Sequence, residues 1–174
     1  MIHDPSTLLG LLFRGHPWHG VPIGAKAPDV VTCFIEIVPT DRVKYEIDKA
    51  TGYLKVDRPQ LYSNICPAPY GFIPQTYCGP RVGAYSANRT NRPSLKGDGL
   101  YGGWWELADV PEAVANRLTH YFETYKLAPG ATTKPVEITH LFGRDEAHAV
   151  IRCAQDDYSD KFGVLQKQLA DALA

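Results

Sequence analysis

The residues best suited to chemistry crowd into a short stretch: Lys44 and Glu46 two apart, then Asp57 and Arg58 side by side, with Glu36 a few residues upstream. Lys and Arg supply a point-charge donor and a forked donor for an anion, while nearby carboxylates hold a divalent metal or orient water. Two readings of this face are open. One is a solvated sheet face carrying cross-strand ion pairs, which are common and individually weak. The other is a phosphate site. Glu36 favours the second, because a carboxylate inside the apolar run Val31 to Val38 is costly without a partner, a metal or a task.

Elements that position these groups can be read around them. Val31 to Val38 is apolar and β-branched, which predicts a strand buried on both sides. Val43 to Asp48 alternates strictly, Lys49-Ala50-Thr51-Gly52 signals a turn, and Tyr53 to Arg58 alternates again, so a hairpin is expected. Prolines at 59, 67, 69 and 74 imply a braced irregular segment. Gly79 to Gly99 is a long polar connection. Val114, Leu118, Tyr121, Phe122 and Tyr125 recur at helical spacing after Pro111; Val136 to Phe142 reads as a strand. Ala147 through Leu169 marks a final helix, expected to break near Tyr158 to Gly163.

Composition narrows the field of functions. The 174 residues fit one compact domain, with 1–29 as an arm that lies on the domain or on another subunit and 30–174 as the domain itself. Eighteen Lys and Arg against nineteen Asp and Glu leave a net charge of -1, so no basic field draws in nucleic acid or an anionic membrane. The apolar run Leu8 to Phe13 is too short for a membrane span and follows Asp4 in place of a basic segment. Cys33, Cys66, Cys78 and Cys153 have no metal-ribbon spacing and read as free thiols in a reducing cytoplasm. His16 and His19, with no HExxH, read as surface or packing residues.

Taken in order, four segments resemble the soluble family I inorganic pyrophosphatases, in a subgroup found in chlamydiae: Phe34-Ile35-Glu36-Ile37, Val43 to Gly52, Leu54 to Pro59, and Cys66 to Pro74. His120 to Lys126 resembles the family's C-terminal helix motif. The resemblance implies a mainly β, α+β fold with an OB-like five-stranded barrel and flanking helices. It implies Mg²⁺ as cofactor, pyrophosphate as substrate, a homo-oligomer and a cytoplasmic location. By motif match, Lys44, Arg58, Tyr70, Tyr125 and Lys126 would bind phosphate, Glu36 and Glu46 would be catalytic, and Asp98 would bind metal. Cys66 stands where many members carry a Tyr.

One departure is large. After Asp98-Gly99 the family continues with Asp-Pro-x-Asp and several strands bearing two further metal-binding aspartates and a phosphate-binding lysine. Here Leu100-Tyr101-Gly102-Gly103-Trp104 follows, which resembles the far side of that stretch. The expectations are poor metal binding, an opened barrel and unpaired strand edges. The alternative function is a catalytically impaired relative that serves as a phosphate-binding or assembly module. A binder of single-stranded nucleic acid, which an OB-like fold also permits, is opposed by the net charge.

Overall fold

A computed structural model describes residues 15–59, 65–87, 104–127, 136–138 and 140–173. The elements are a single helical turn α1 (Pro17–Gly20), strands β1 (Phe34–Ile37), β2 (Val43–Ile47), β3 (Leu54–Pro59) and β4 (Tyr70–Phe72), then α2 (Pro80–Ala87). A 3₁₀ turn (Leu107–Asp109) precedes α3 (Glu112–Thr124) and the long α4 (Arg144–Leu173). The fold is thus mixed α+β.

The expected hairpin forms, with β2 antiparallel to β3. Its turn is built by Asp48, whose Oδ1 accepts hydrogen bonds from the amides of Ala50 and Thr51 and from the Thr51 hydroxyl. The Thr51 amide is the main cause that brings the Asp48 carboxyl down to about 2. Gly52 closes the turn at φ 77°, in the left-handed region, and its missing Cβ leaves room for His16, whose Cα would lie 2.8 Å away.

β1 pairs with β4, and among the described residues the strands make two separate two-stranded sheets, not a closed five-stranded barrel. Closure needs neighbours on every edge, and the four described strands leave edges unpaired. The same lack changes the burial of β1: Ile37 is 2% exposed, but Ile35 and Val38 are 38% and 40% exposed, so the strand is covered on one side only. A groove of about 340 Å³ opens there, lined by Ile35, Ile37, Tyr45, Leu54 and Val56. Residues 136–138 and 140–142 form no strand; the Ile138 amide instead donates to Glu123. A strand needs a ladder partner, and these residues pair with none of the described strands.

α4 runs unbroken through Tyr158 to Gly163, contrary to expectation. Tyr158 and Phe162 lie one turn apart and both pack against the arm: Trp18 sits 5.5 Å from Phe162, and His19 Nδ1 is 2.7 Å from the Tyr158 hydroxyl. That shared partner favours a continuous helix over the modest cost of an interior Gly163. Trp18 also donates from Nε1 to the Thr76 carbonyl.

α2 lies in a region where the sequence shows only a polar connection. Its start is capped from α4: Asp157, 2% exposed, accepts hydrogen bonds from the amides of Gly79, Arg81 and Val82. The Arg81 guanidinium adds ion pairs to Asp157 and Asp160. Three orphan donors at a helix start are thereby satisfied by one carboxylate from another helix. The four cysteines are all free.

Candidate active site

Strand pairing places the chemical groups by two slips of register. In the hairpin, Lys44 pairs with Arg58 while Tyr45 pairs with Val56, so Asp57 is an extra residue on β3. Strict alternation would send Asp57 and Arg58 to opposite faces. A bulge turns both toward the residue opposite them, here Lys44. In β1 the slip falls at Glu36, between Ile35 and Ile37. The Glu36 side chain reaches across to β2, where Oε1 accepts a hydrogen bond from the Ile47 amide at 2.7 Å.

Lys44 is the hub. Its Nζ donates to Glu46 Oε2 at 3.0 Å and to Asp57 Oδ2 at 2.8 Å, with the Lys44 side chain only 12% exposed. Burial pulls its pKa down, but the bonds to Asp57 and Glu46 outweigh this and leave it above the ordinary value. The ammonium is therefore charged throughout the physiological range. Hydrogen bonding to Lys44 in turn holds Asp57 below the usual carboxylate range. Asp57 also pairs with Arg58 Nη1 at 3.3 Å, so one carboxylate orients both cations.

Arg58 Nη2 is buried and has no hydrogen-bond partner. Buried donors are nearly always satisfied, so an orphan at this position needs an explanation, and an anion accepting from the fork supplies one. The guanidinium lies 5.5 Å from the centre of the Tyr125 ring, and Lys126 Nζ lies 5.4 Å from the same ring. Tyr70, on β4, packs on the core cluster of Ile37, Cys66 and Tyr121 together with Tyr125. Desolvation pushes the Tyr70 phenol up, and Tyr125 adds to this, so it remains a neutral donor. Desolvation also raises Glu36, with the charge of Glu46 adding to it, against opposing contributions from the Ile47 amide, Lys44 and Lys49.

The structure thus joins Lys44, Glu46, Asp57 and Arg58 by ion pairs, sets Tyr125 against Arg58 and Lys126 against Tyr125, and places Tyr70 in the same aromatic cluster as Tyr125 while Glu36 bonds across to β2. Asp98 lies outside the described residues. Sequence spacing did not single out Asp57 as the link between the two cations, because only pairing reveals the bulge.

Mg²⁺ requires a carboxylate or two with free oxygens. Among the described residues no three His, Cys, Asp or Glu side chains gather where a metal ion could be held. Glu46 and Asp57 both commit an oxygen to Lys44, and Glu36 commits one to the Ile47 amide. The described donors do not fit a divalent ion.

Antiparallel strands that carry Lys44, Tyr70 and an Arg58 with an unpartnered Nη2, with Tyr125 at the end of α3 against that Arg, make up an α+β protein with a compact cationic face. Comparison with known proteins places it further. The family profile described as inorganic pyrophosphatase matches residues 33–99 and 94–159. The inorganic pyrophosphatase of Chlamydia muridarum is 36% identical over 199 residues, covering 84% of this chain and 95% of the relative. That of Chlamydia caviae is 33% identical over 200 residues, covering 84% and 92%. The crystal structure of inorganic pyrophosphatase from Thermus thermophilus superposes with a TM-score of 0.64 at 25% identity, covering 83% of this chain and 99% of that one. The chain belongs to the inorganic pyrophosphatase family.

The missing stretch is visible in the same comparison. An alignment of 199 residues uses 84% of the 174 here, so about fifty residues of the chlamydial relative have no counterpart. The two profile matches meet at 94–99, where the sequence motif is interrupted.

Proposed function

We propose that this chain hydrolyses inorganic pyrophosphate to two orthophosphates at the Lys44–Arg58 face. The observation that carries the reading is the buried, unpartnered Nη2 of Arg58 beside Lys44 in a chain of this family. Pyrophosphate is highly anionic, so it binds only where cations neutralise its oxygens. Arg58 takes one phosphate through its fork, and Lys44, held by Glu46 and Asp57, adds a fixed point charge. Tyr70 and Tyr125 donate hydrogen bonds from their hydroxyls, and Lys126 closes the rim.

As the bridging P–O bond loosens, negative charge gathers on the departing phosphate. Lys44 and Arg58 stabilise that charge. Glu36, with its raised proton affinity, accepts a proton from the attacking water as the oxygen bonds to phosphorus, and the proton then passes to the released phosphate. Each such donor contributes about 10²- to 10³-fold in rate.

Around this site, residues 30–174 form the catalytic domain and 1–29 the arm. The strands belong to an OB-like barrel that the absent stretch leaves open. The protein acts in the cytoplasm as a homo-oligomer, and Mg²⁺, the divalent ion implied by the family, draws its ligands from outside the described donors, Asp98 among them.

The test is phosphate release from pyrophosphate across a Mg²⁺ titration, with Glu46→Gln and Arg58→Ala as controls and the intact mass measured on the same sample. Mg²⁺-dependent turnover lost in both variants is the expected result. A folded protein of 19.3 kDa that releases no phosphate at any Mg²⁺ concentration overturns the reading and leaves the impaired relative.

A further inference from the structure

Tyr125 is the C-cap of α3, its backbone still helical and its amide bonded to the Tyr121 carbonyl, so the helix holds its backbone but leaves the direction of its ring to side-chain packing. Yet Tyr125 carries the ring on which Arg58 lies. Something else must fix that ring. Its neighbour one turn earlier, Tyr121, is 6% exposed, and the two rings stack with centroids 5.3 Å apart and planes 22° apart. Tyr121 also meets Phe122 edge-on at 5.3 Å, and Phe122 lies 6.0 Å from Tyr70.

Below, Tyr121 packs with Cys66 and Ile37 in one buried cluster, and Cys66 Sγ donates to the Ala68 carbonyl at 3.1 Å. Cys66 and Ala68 are both buried, and the segment that holds them leads directly into Tyr70. One buried ring therefore packs the helix end against the segment before β4. A stacked aromatic pair prefers a definite offset geometry, so the plane of the anchored ring sets the plane of the other.

We infer that Tyr121 is a positioning residue of the anion site: anchored on Cys66, its ring sets the ring of Tyr125 and, through it, the guanidinium of Arg58. The inference rests on the pyrophosphate-binding reading of that face. It differs from a filler role in the core because the effect of Tyr121 must pass through Tyr125.

The experiment uses the full chain in EDTA, where pyrophosphate binding is followed by calorimetry apart from turnover, with Tyr121→Phe, Tyr121→Leu and Tyr121→Met. Tyr121→Met keeps bulk without a ring and replaces Tyr121→Leu if the latter does not fold. Loss of the stack is expected to weaken binding about fivefold, Tyr121→Phe to stay within about twofold of the parent, and the loss to vanish in a Tyr125→Ala background. A second readout needs no ligand: the Arg58 Nε–H resonance, displaced by the Tyr125 ring, moves toward its free-arginine position in Tyr121→Leu or Tyr121→Met but not in Tyr121→Phe.

Binding unchanged without the ring, equal losses in Tyr121→Phe and Tyr121→Leu, or a loss that persists in Tyr125→Ala each overturns the inference. If the parent protein does not bind pyrophosphate, the functional reading of the face fails. The resonance then decides the positioning role alone: an Arg58 signal that stays put in Tyr121→Leu sinks it, and one that moves supports it.

Discussion

Replacing Arg58 by Met separates what the site does for ligand from what it does to the fold. The methionine keeps the apolar stem of the arginine and removes the fork. Toward pyrophosphate it deletes a charge-assisted donor pair, a loss of about 1.5–3 kcal/mol, or roughly 10- to 150-fold in affinity. Toward the ligand-free fold the sign reverses. Nη2 is buried without a partner, and such a donor costs about 1–3 kcal/mol in the folded state. Against this, Arg58→Met gives up the contact over Tyr125 at 5.5 Å, about 0.5–1 kcal/mol. The ion pair to Asp57 at 3.3 Å is between partly exposed side chains and adds little. The variant should therefore be about 1 kcal/mol more stable without ligand, a rise in Tm of roughly 2–4 °C for a chain of this size. Thermal unfolding with and without pyrophosphate, together with calorimetric affinity, reads both signs at once. A ligand-free Tm that falls by several degrees, or an affinity equal to the parent's, refutes the claim that this arginine waits for an anion.

Other outcomes follow from charges held by the fold. Burial pushes the Asp157 carboxyl up, but the amides of Val82, Arg81 and Gly79 outweigh it and leave its pKa below 3.8. Its ionised form thus stabilises the fold above that value and ceases to as pH falls through the native pKa. Asp157→Asn should melt below the parent at pH 7, with the gap closing below about pH 3.8; a gap that is constant with pH contradicts the cap. Glu36 is the opposite case, raised above 4.5 chiefly by burial, so ionising it costs stability as pH climbs from 4.5 through the native pKa. Glu36→Gln should accordingly melt above the parent at neutral pH and lose that advantage toward pH 4.5, while turnover drops about 10²-fold or more; equal turnover removes Glu36 from the chemistry. Leu54 and Val56 are 47% and 61% exposed beside the open groove. Changing both to Thr should lower dye binding to exposed apolar surface and shift stability by less than about 0.5 kcal/mol, as unfolding and fluorescence titrations would show.

Much of the fold around the candidate site was legible because it is local. The alternation around Lys49 to Gly52 and the Asp48 turn need no distant partner, and they fold as a hairpin as their pattern demands. The period of Val114, Leu118 and Tyr121 likewise produced α3 where it was expected. The elements that escaped depend on contacts far along the chain. α2 starts where Asp157, more than seventy residues later, caps it. α4 passes through Gly163 because Tyr158 and Phe162 share Trp18 and His19. The strand expected over Val136 to Phe142 lacks a ladder partner among the described strands.

What the sequence determined by itself is the supply of groups: two cations and two carboxylates on one hairpin, a further carboxylate in an apolar strand, a Tyr-Lys pair at a helix end, and a family motif cut short after Gly99. Residue type and short-range period carry that information, since each rests on neighbours a few positions away. Only the tertiary structure decided how those groups face one another. Two bulges turn Asp57 and Glu36 out of simple alternation, and pairing between strands, not the pattern within one, sets where a register slips. The stack from Tyr121 through Tyr125 to Arg58 joins helix to sheet. Such contacts exist only after the chain has closed on itself, so no local reading could have placed them.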